Sequence, residues 1–188
     1  MSASVGGGVH TFQVIEDWAQ LPSGWSANMA AVAVDSQDRV YGLSRGEHPV
    51  IVFDKGGQYL DSWGTGLFEF PHSIRVDRQD KLWIVDCMHG QIYKFTPRGE
   101  LLLAIGSKGL RSDTGARASD GIYGYRTVTR AGGPFNLPTD VAVADSGDLF
   151  ITDGYANCQV HRFSADGKLR YSWGQPGTGP SQFNLPHN

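Results

Sequence analysis

No apolar run in this sequence approaches the roughly 20 residues that a helix needs to cross a bilayer, which excludes a helical membrane span. No run of basic residues occurs either. Sixteen Lys and Arg against nineteen Asp and Glu leave a net charge of −3, so the basic stripe that grips a phosphate backbone is missing and a nucleic-acid partner is excluded. Cysteine is scarce: Cys87 and Cys158 are too few for a disulfide framework, are not a CxxC pair, and are expected to be free thiols. The first residues, Met-Ser-Ala-Ser-Val-Gly-Gly-Gly, show neither the basic leader nor the apolar stretch of a secretory signal. What the chain does have, in 188 residues, is 25 Gly, 9 Pro, 5 Trp, 7 Tyr and 9 Phe, a usage that favours many short strands joined by turns.

Three stretches align without a gap from Met29, Pro71 and Pro138: Met29 to Ser44, Pro71 to Asp86, and Pro138 to Asp153. Each continues through a third apolar segment (50–53, 91–95, 159–163), a turn (Lys55-Gly56-Gly57, Pro97-Arg98-Gly99, Ala165-Asp166-Gly167) and a closing segment that ends on Trp63, Ile105 or Trp173. The closing residue lies 34, 34 and 35 residues after the start of its unit, and this constancy of register marks a repeat. Four short segments rich in β-branched and aromatic residues, separated by Gly, Asp and Pro, predict a four-stranded antiparallel meander, and units of this size are blades of a β-propeller. The predicted fold is therefore all-β: blade 1 over 29–64, blade 2 over 71–106, an insertion loop over 107–133, blade 3 over 138–174 and the start of a fourth blade over 183–188. Residues 11–18 read as a lone N-terminal strand, a latch for a last blade.

The second position of each unit is Ala30, His72, Thr139 and, in the fourth, His187. Equivalent positions share radius and height around the propeller axis, so the two histidines of alternate blades converge on the channel. Such blades are about 120° apart in a six-bladed ring, where a third histidine would complete a metal site. The alternative is a Pro-His pair capping the inner strand, with its imidazole bonded to a backbone carbonyl. Arg45 and Tyr155 follow the second strands of units one and three and so share the histidines' face. Taken singly, Arg45 pairing with Glu47 and Tyr155 packing its loop are the plainer alternatives. His10, His48, His89 and His161 share no slot with the pair and are read as surface or turn residues.

Phe68-Glu69-Phe70-Pro71-His72-Ser73-Ile74, Asp153-Gly154-Tyr155-Ala156-Asn157, Ser44-Arg45-Gly46-Glu47-His48 and Phe183-Asn184-Leu185-Pro186-His187 resemble the NHL-type six-bladed propeller of the peptidyl-α-hydroxyglycine α-amidating lyases. Proteins of that family cleave the N–Cα bond of a C-terminal α-hydroxyglycine to give a peptide amide and glyoxylate, and are often secreted. The resemblance implies that His72 and His187 are two of three ligands of a catalytic zinc, and that Tyr155 is a general base or zinc-adjacent phenolate. It further implies that Arg45 holds the substrate, and that the carbonyls of Val32 and Ile74 bind a structural calcium. The family's cysteine after the tyrosine is Ala156 here, and Phe135-Asn136 lacks its partner, so that disulfide is absent. Three blades and the start of a fourth hold only two of the zinc ligands, so little activity is expected of a monomer, and self-association completing the ring is an expectation. A noncatalytic propeller serving as a binding module is the competing reading.

Overall fold

The computed structural model describes residues 3–188, and it is built almost wholly of short antiparallel strands. After a hairpin of β1 (Ser4–Gly7) and β2 (His10–Gln13) come three four-stranded meanders. The first holds β3 (Met29–Val34), β4 (Val40–Ser44), β5 (Val50–Phe53) and β6 (Tyr59–Trp63). The second holds β7 (Pro71–Val76), β8 (Leu82–Asp86), β9 (Gln91–Phe95) and β10 (Leu101–Ile105). The third holds β11 (Pro138–Val143), β12 (Leu149–Asp153), β13 (Gln159–Phe163) and β14 (Leu169–Trp173). In each sheet the strands pair in chain order, which is the arrangement of propeller blades, and the molecule is a partial β-propeller.

The turn after the first strand shows how the repeat is encoded. Asp38, Asp80 and Gly147 take the same left-handed backbone (φ 61°, 54° and 84°) and donate their N–H to the carbonyls of Asp35, Asp77 and Ala144. Only Gly, and less readily Asp or Asn, adopts that conformation at low cost, so these residue types at one offset write one turn three times.

Alternation along β8 then joins the blades. Successive side chains of a strand point to opposite faces. Leu82 and Ile84 accordingly pack with Tyr41, Leu43, Val50 and Val52 of blade 1, while Trp83 and Val85 pack with Val141, Leu149, Ile151 and Phe163 of blade 3. All five residues of β8 are buried, as expected of a strand with a sheet on both sides.

The N-terminus differs from the sequence reading. Residues 11–18 are not a lone strand: His10–Gln13 pairs with Ser4–Gly7, and no strand covers residues 14–18. Gly6 and Gly8, at φ 109° and 62°, let the chain double back, so the backbone groups of 10–13 find partners within the hairpin. Trp18 instead packs on Phe53, with ring centroids 5.8 Å apart. The insertion contains a 3₁₀ helix, Ala118–Arg126, broken at Gly121. No helix among the described residues is long and apolar enough to cross a membrane.

Candidate functional site

The inner strand of every blade opens with a register shift, between Met29 and Ala31, Pro71 and Ser73, and Pro138 and Asp140. The residue skipped in the ladder is the second of the unit, Ala30, His72 or Thr139. A bulge of this kind re-aims the side chain that occupies it. His72, 8% exposed, turns Nδ1 to the carbonyl of Thr139 in the next blade at 2.7 Å. A carbonyl only accepts, so Nδ1 carries the proton and Nε2 presents a lone pair.

That lone pair meets Tyr155 Oη at 2.9 Å, and His187 Nε2 approaches the same oxygen at 3.0 Å. The three rings meet edge to face, with centroids 4.8 to 5.2 Å apart. His187 comes from the segment beyond blade 3, which is laid along blade 3 by bonds from Thr139 Oγ1 to Pro186 O (3.1 Å) and from Thr152 Oγ1 to His187 O (2.9 Å). Tyr155 follows β12, and the base of its loop is fixed by Asp153, fully buried, which accepts from the N–H of Asn136 (2.9 and 3.0 Å) and from Asn157 Nδ2 (2.8 Å). Arg45 lies at the mouth, its guanidinium 4.1 Å over the ring of Phe70 and its Nε donating to Pro71 O at 3.2 Å. It forms no ion pair with Glu47, or with any other carboxylate among the described residues.

His72, His187, Tyr155 and Arg45 line one cavity of about 450 Å³, with Val32, Ile74 and Arg75 on its wall. The structure thus brings together all six residues singled out from the sequence. Burial pushes the His72 imidazole below its ordinary value; the Thr139 carbonyl opposes this, and the neighbouring His187 and Arg45 reinforce it. Burial likewise raises the Tyr155 phenol, with Arg45 opposing. A neutral His72 imidazole beside a protonated phenol follows.

The donor set can be tested against the two metals. Two imidazole nitrogens aimed at one point are the kind of nitrogen donor a zinc ion takes. Among the described residues no group of three His, Cys, Asp or Glu gathers anywhere, so the chain offers zinc two nitrogens and a phenol oxygen. For calcium, Val32 and Ile74 lie on the cavity wall beside Ser73, whose buried Oγ has no hydrogen-bond partner among the described residues. The backbone carbonyls of Val32 and Ile74 would be hard oxygen donors of the kind calcium takes, and the Asp140 carboxylate is taken up by Arg75.

His161 departs from the sequence reading, and His89, which does lie in the turn after β8, departs from it only in being buried. His161 is fully buried, between Asp153 Oδ2 (3.2 Å) and Ser172 Oγ (2.7 Å), and His89 is 5% exposed against Tyr93 Oη (3.0 Å). Both are interior polar links, because each has a carboxylate of the second strand's end beside it, Asp153 or Asp86. Those carboxylates were missed in the sequence. Asp86 accepts the N–H groups of Glu69, Phe70 and His89, and Ser44 takes the same slot in blade 1 by accepting from Asn28 and Gly46. Their signal was the recurrence of an acceptor side chain fifteen residues into every unit.

Comparison with known proteins agrees with this architecture. Residues 135–163 match the NHL repeat family. The chain is 34% identical over 119 residues to peptidyl-alpha-hydroxyglycine alpha-amidating lyase 1 of Drosophila melanogaster, an alignment that covers 63% of this chain and 19% of that protein. It is 27% identical over 183 residues to human NHL repeat-containing protein 3, covering 91% of this chain and 48% of the relative. The chain therefore spans less than half the length of these relatives. A solved structure of a Bacteroides thetaiotaomicron protein of unknown function superposes with a TM-score of 0.61 at 20% identity, over 94% of this chain and 44% of that one, which shows the shared fold. In sequence the chain is a relative of the amidating lyases, with an NHL repeat in a partial propeller.

Proposed function

We propose that the cavity is a lyase site of the peptidylamidoglycolate type, acting on a peptide or small amide that ends in α-hydroxyglycine. The observation that carries this reading is the meeting of the His72 and His187 Nε2 atoms on Tyr155 Oη, in a cavity that also holds an Arg45 with no carboxylate partner among the described residues.

In the proposed reaction Arg45 takes the substrate carboxylate, which fixes the α-carbon over the rings. The hydroxyl proton leaves, a carbonyl forms at the α-carbon, and the N–Cα electrons pass to the amide nitrogen, which gains a proton. The products are the peptide amide and glyoxylate. Tyr155 Oη is the atom at which a proton is held and moved, and Arg45 beside it opposes the upward push of burial on the phenol. His72 and His187 would hold the zinc, and the backbone carbonyls of Val32 and Ile74 a structural calcium. Zinc, when bound, supplies Lewis acidity toward the substrate hydroxyl oxygen.

The test is glyoxylate release from an N-acyl-tyrosyl-α-hydroxyglycine with zinc present, alongside metal analysis. Expected are glyoxylate and amide in equal amounts, loss of both in Tyr155→Phe, and loss of bound zinc in His72→Ala. Activity that rises faster than protein concentration would mark self-association as the step that completes the ring. Stoichiometric zinc with no glyoxylate at any protein concentration overturns the proposal. The two-nitrogen donor set favours one second reading, a noncatalytic binding propeller, which holds no zinc and tolerates His72→Ala unchanged.

A further inference from the structure

Between blades 2 and 3 the chain leaves the sheets, and the structure ties this excursion to the loop that carries Tyr155. Thr114, 1% exposed, donates Oγ1 to the carbonyl of Ala156 at 2.6 Å and accepts from Asn136 Nδ2 at 3.0 Å. Asn157, also 1% exposed, accepts from the Gly132 N–H at 3.1 Å and donates Nδ2 to the Gly132 carbonyl at 3.2 Å. Gly124 of the 3₁₀ helix lies against the loop: a Cβ added there would stand 2.9 Å from Ala156 Cβ and 3.1 Å from Tyr155 O. The sheet itself holds this loop weakly, because the ladder stops at the Asp153–Gln159 pair and the loop's own backbone bonds, Tyr155 N to Leu137 O and Ala156 N to Asn136 O, are 3.3 and 3.2 Å.

We propose that Thr114 is a positioning residue for Tyr155, and that the insertion is a brace holding the Tyr155 hydroxyl between the two imidazoles. Its value for catalysis rests on the lyase reading above; its mechanical content does not. Replacing the Thr114 hydroxyl with a methyl group removes the shortest bond to the loop and deprives both the Ala156 carbonyl and the Asn136 amide of a buried partner.

The experiment uses protein labelled with 3-fluorotyrosine, in which the ¹⁹F signal of residue 155 is identified by its loss in Tyr155→Phe. Thr114→Val is expected to shift or broaden that signal and to speed amide exchange at Tyr155 and Ala156 at least tenfold, leaving the amides of β3 to β10 unchanged. Thr114→Ser, which keeps the hydroxyl, restores both. Gly124→Ala presses on the loop from its other side and moves the same signal, and it decides the matter should Thr114→Val not fold. In the glyoxylate assay Thr114→Val lowers kcat and leaves KM in place. An unaltered residue-155 signal in Thr114→Val or in Gly124→Ala, or a Thr114→Ser protein that behaves like the valine variant, overturns the brace. Absence of glyoxylate in the wild type defeats the lyase reading alone, since the fluorine and exchange results still decide the brace.

Discussion

Val32 in blade 1 and Ile74 in blade 2 stand at the same position of their units, yet Val32 is 63% exposed and Ile74 1%. The third member of the set, Val141, is 1% exposed. Val32 lies in the more apolar strand, Met-Ala-Ala-Val-Ala-Val against Pro-His-Ser-Ile-Arg-Val and Pro-Thr-Asp-Val-Ala-Val, so composition does not explain why it is the exposed one. What differs is the neighbour: Ile74 packs against blade 1 and Val141 against blade 2, while the corresponding face of blade 1 has no described sheet before it. Met29 and Val34 are 44% and 53% exposed there, beside a shallow apolar cavity of about 370 Å³ walled also by Trp18, Val40 and Phe53. In a repeat fold, burial belongs to the interface between units rather than to the unit.

The comparison can be broken most severely at the ends of the second strands. Asp153→Ala leaves the buried Asn136 N–H, Asn157 amide and His161 imidazole without their acceptor, an expected loss of about 3–5 kcal/mol in denaturant unfolding. Ser44→Ala in blade 1, where one hydroxyl accepts from Asn28 and Gly46, is expected to cost only about 1–2 kcal/mol. Next comes the pair itself. Ile74→Ala should lose roughly 2–5 kcal/mol, and Val32→Ala less than about 0.5 kcal/mol, in the same measurement.

A smaller effect separates the blades by pH. Burial pushes the Asp35 and Asp77 carboxyls up, but hydrogen bonds from the Arg39 and Lys81 backbones, from Gln37 and Gln79 and from the Tyr41 and Trp83 side chains outweigh it, leaving both below their ordinary value of 3.8. The unfolded chain then binds these protons more tightly than the folded one. Their stabilising contribution is complete above pH 3.8 and is lost as pH falls through the lower folded values. The double variant Asp35→Asn, Asp77→Asn should therefore show a shallower fall in denaturation midpoint as the pH is lowered below about 4. Blade 3 has Ala144 at this slot, and Ala144→Asp should steepen the fall. The smallest effect is at the exposed seam between blades 1 and 2, where Ser36 Oγ donates to Asp80 at 2.6 Å: Ser36→Ala is expected to cost less than about 1 kcal/mol.

The blades were legible in the sequence because each is a local object, with its turns and alternation written within about 35 residues of chain. The convergence of His72 and His187 was legible for the same reason, since rotational equivalence converts a position in a unit into a place around an axis. Three features were not. The bulge that turns His72 leaves no composition signal, because Ala30 and Thr139 occupy the same bulge. The pairing of β1 with β2 depended on glycine backbone freedom at Gly6 and Gly8, which permits a reversal without requiring one. The bonds of Thr114, from Asn136 and to Ala156 of the Tyr155 loop, join residues 22 and 42 positions apart and start from a segment with no periodicity. Contacts of that kind are set by tertiary placement alone.

Cys87 is wholly buried and packs with Leu137 and Ala156, at the root of the loop that bears Tyr155, and burial holds its thiol well above the usual range. Thiolate reagents therefore cannot reach it in the closed arrangement. With Cys158, the other buried thiol, replaced by serine, the rate of Cys87 labelling reports the openings that uncover the root of the Tyr155 loop, readable by absorbance without any introduced probe.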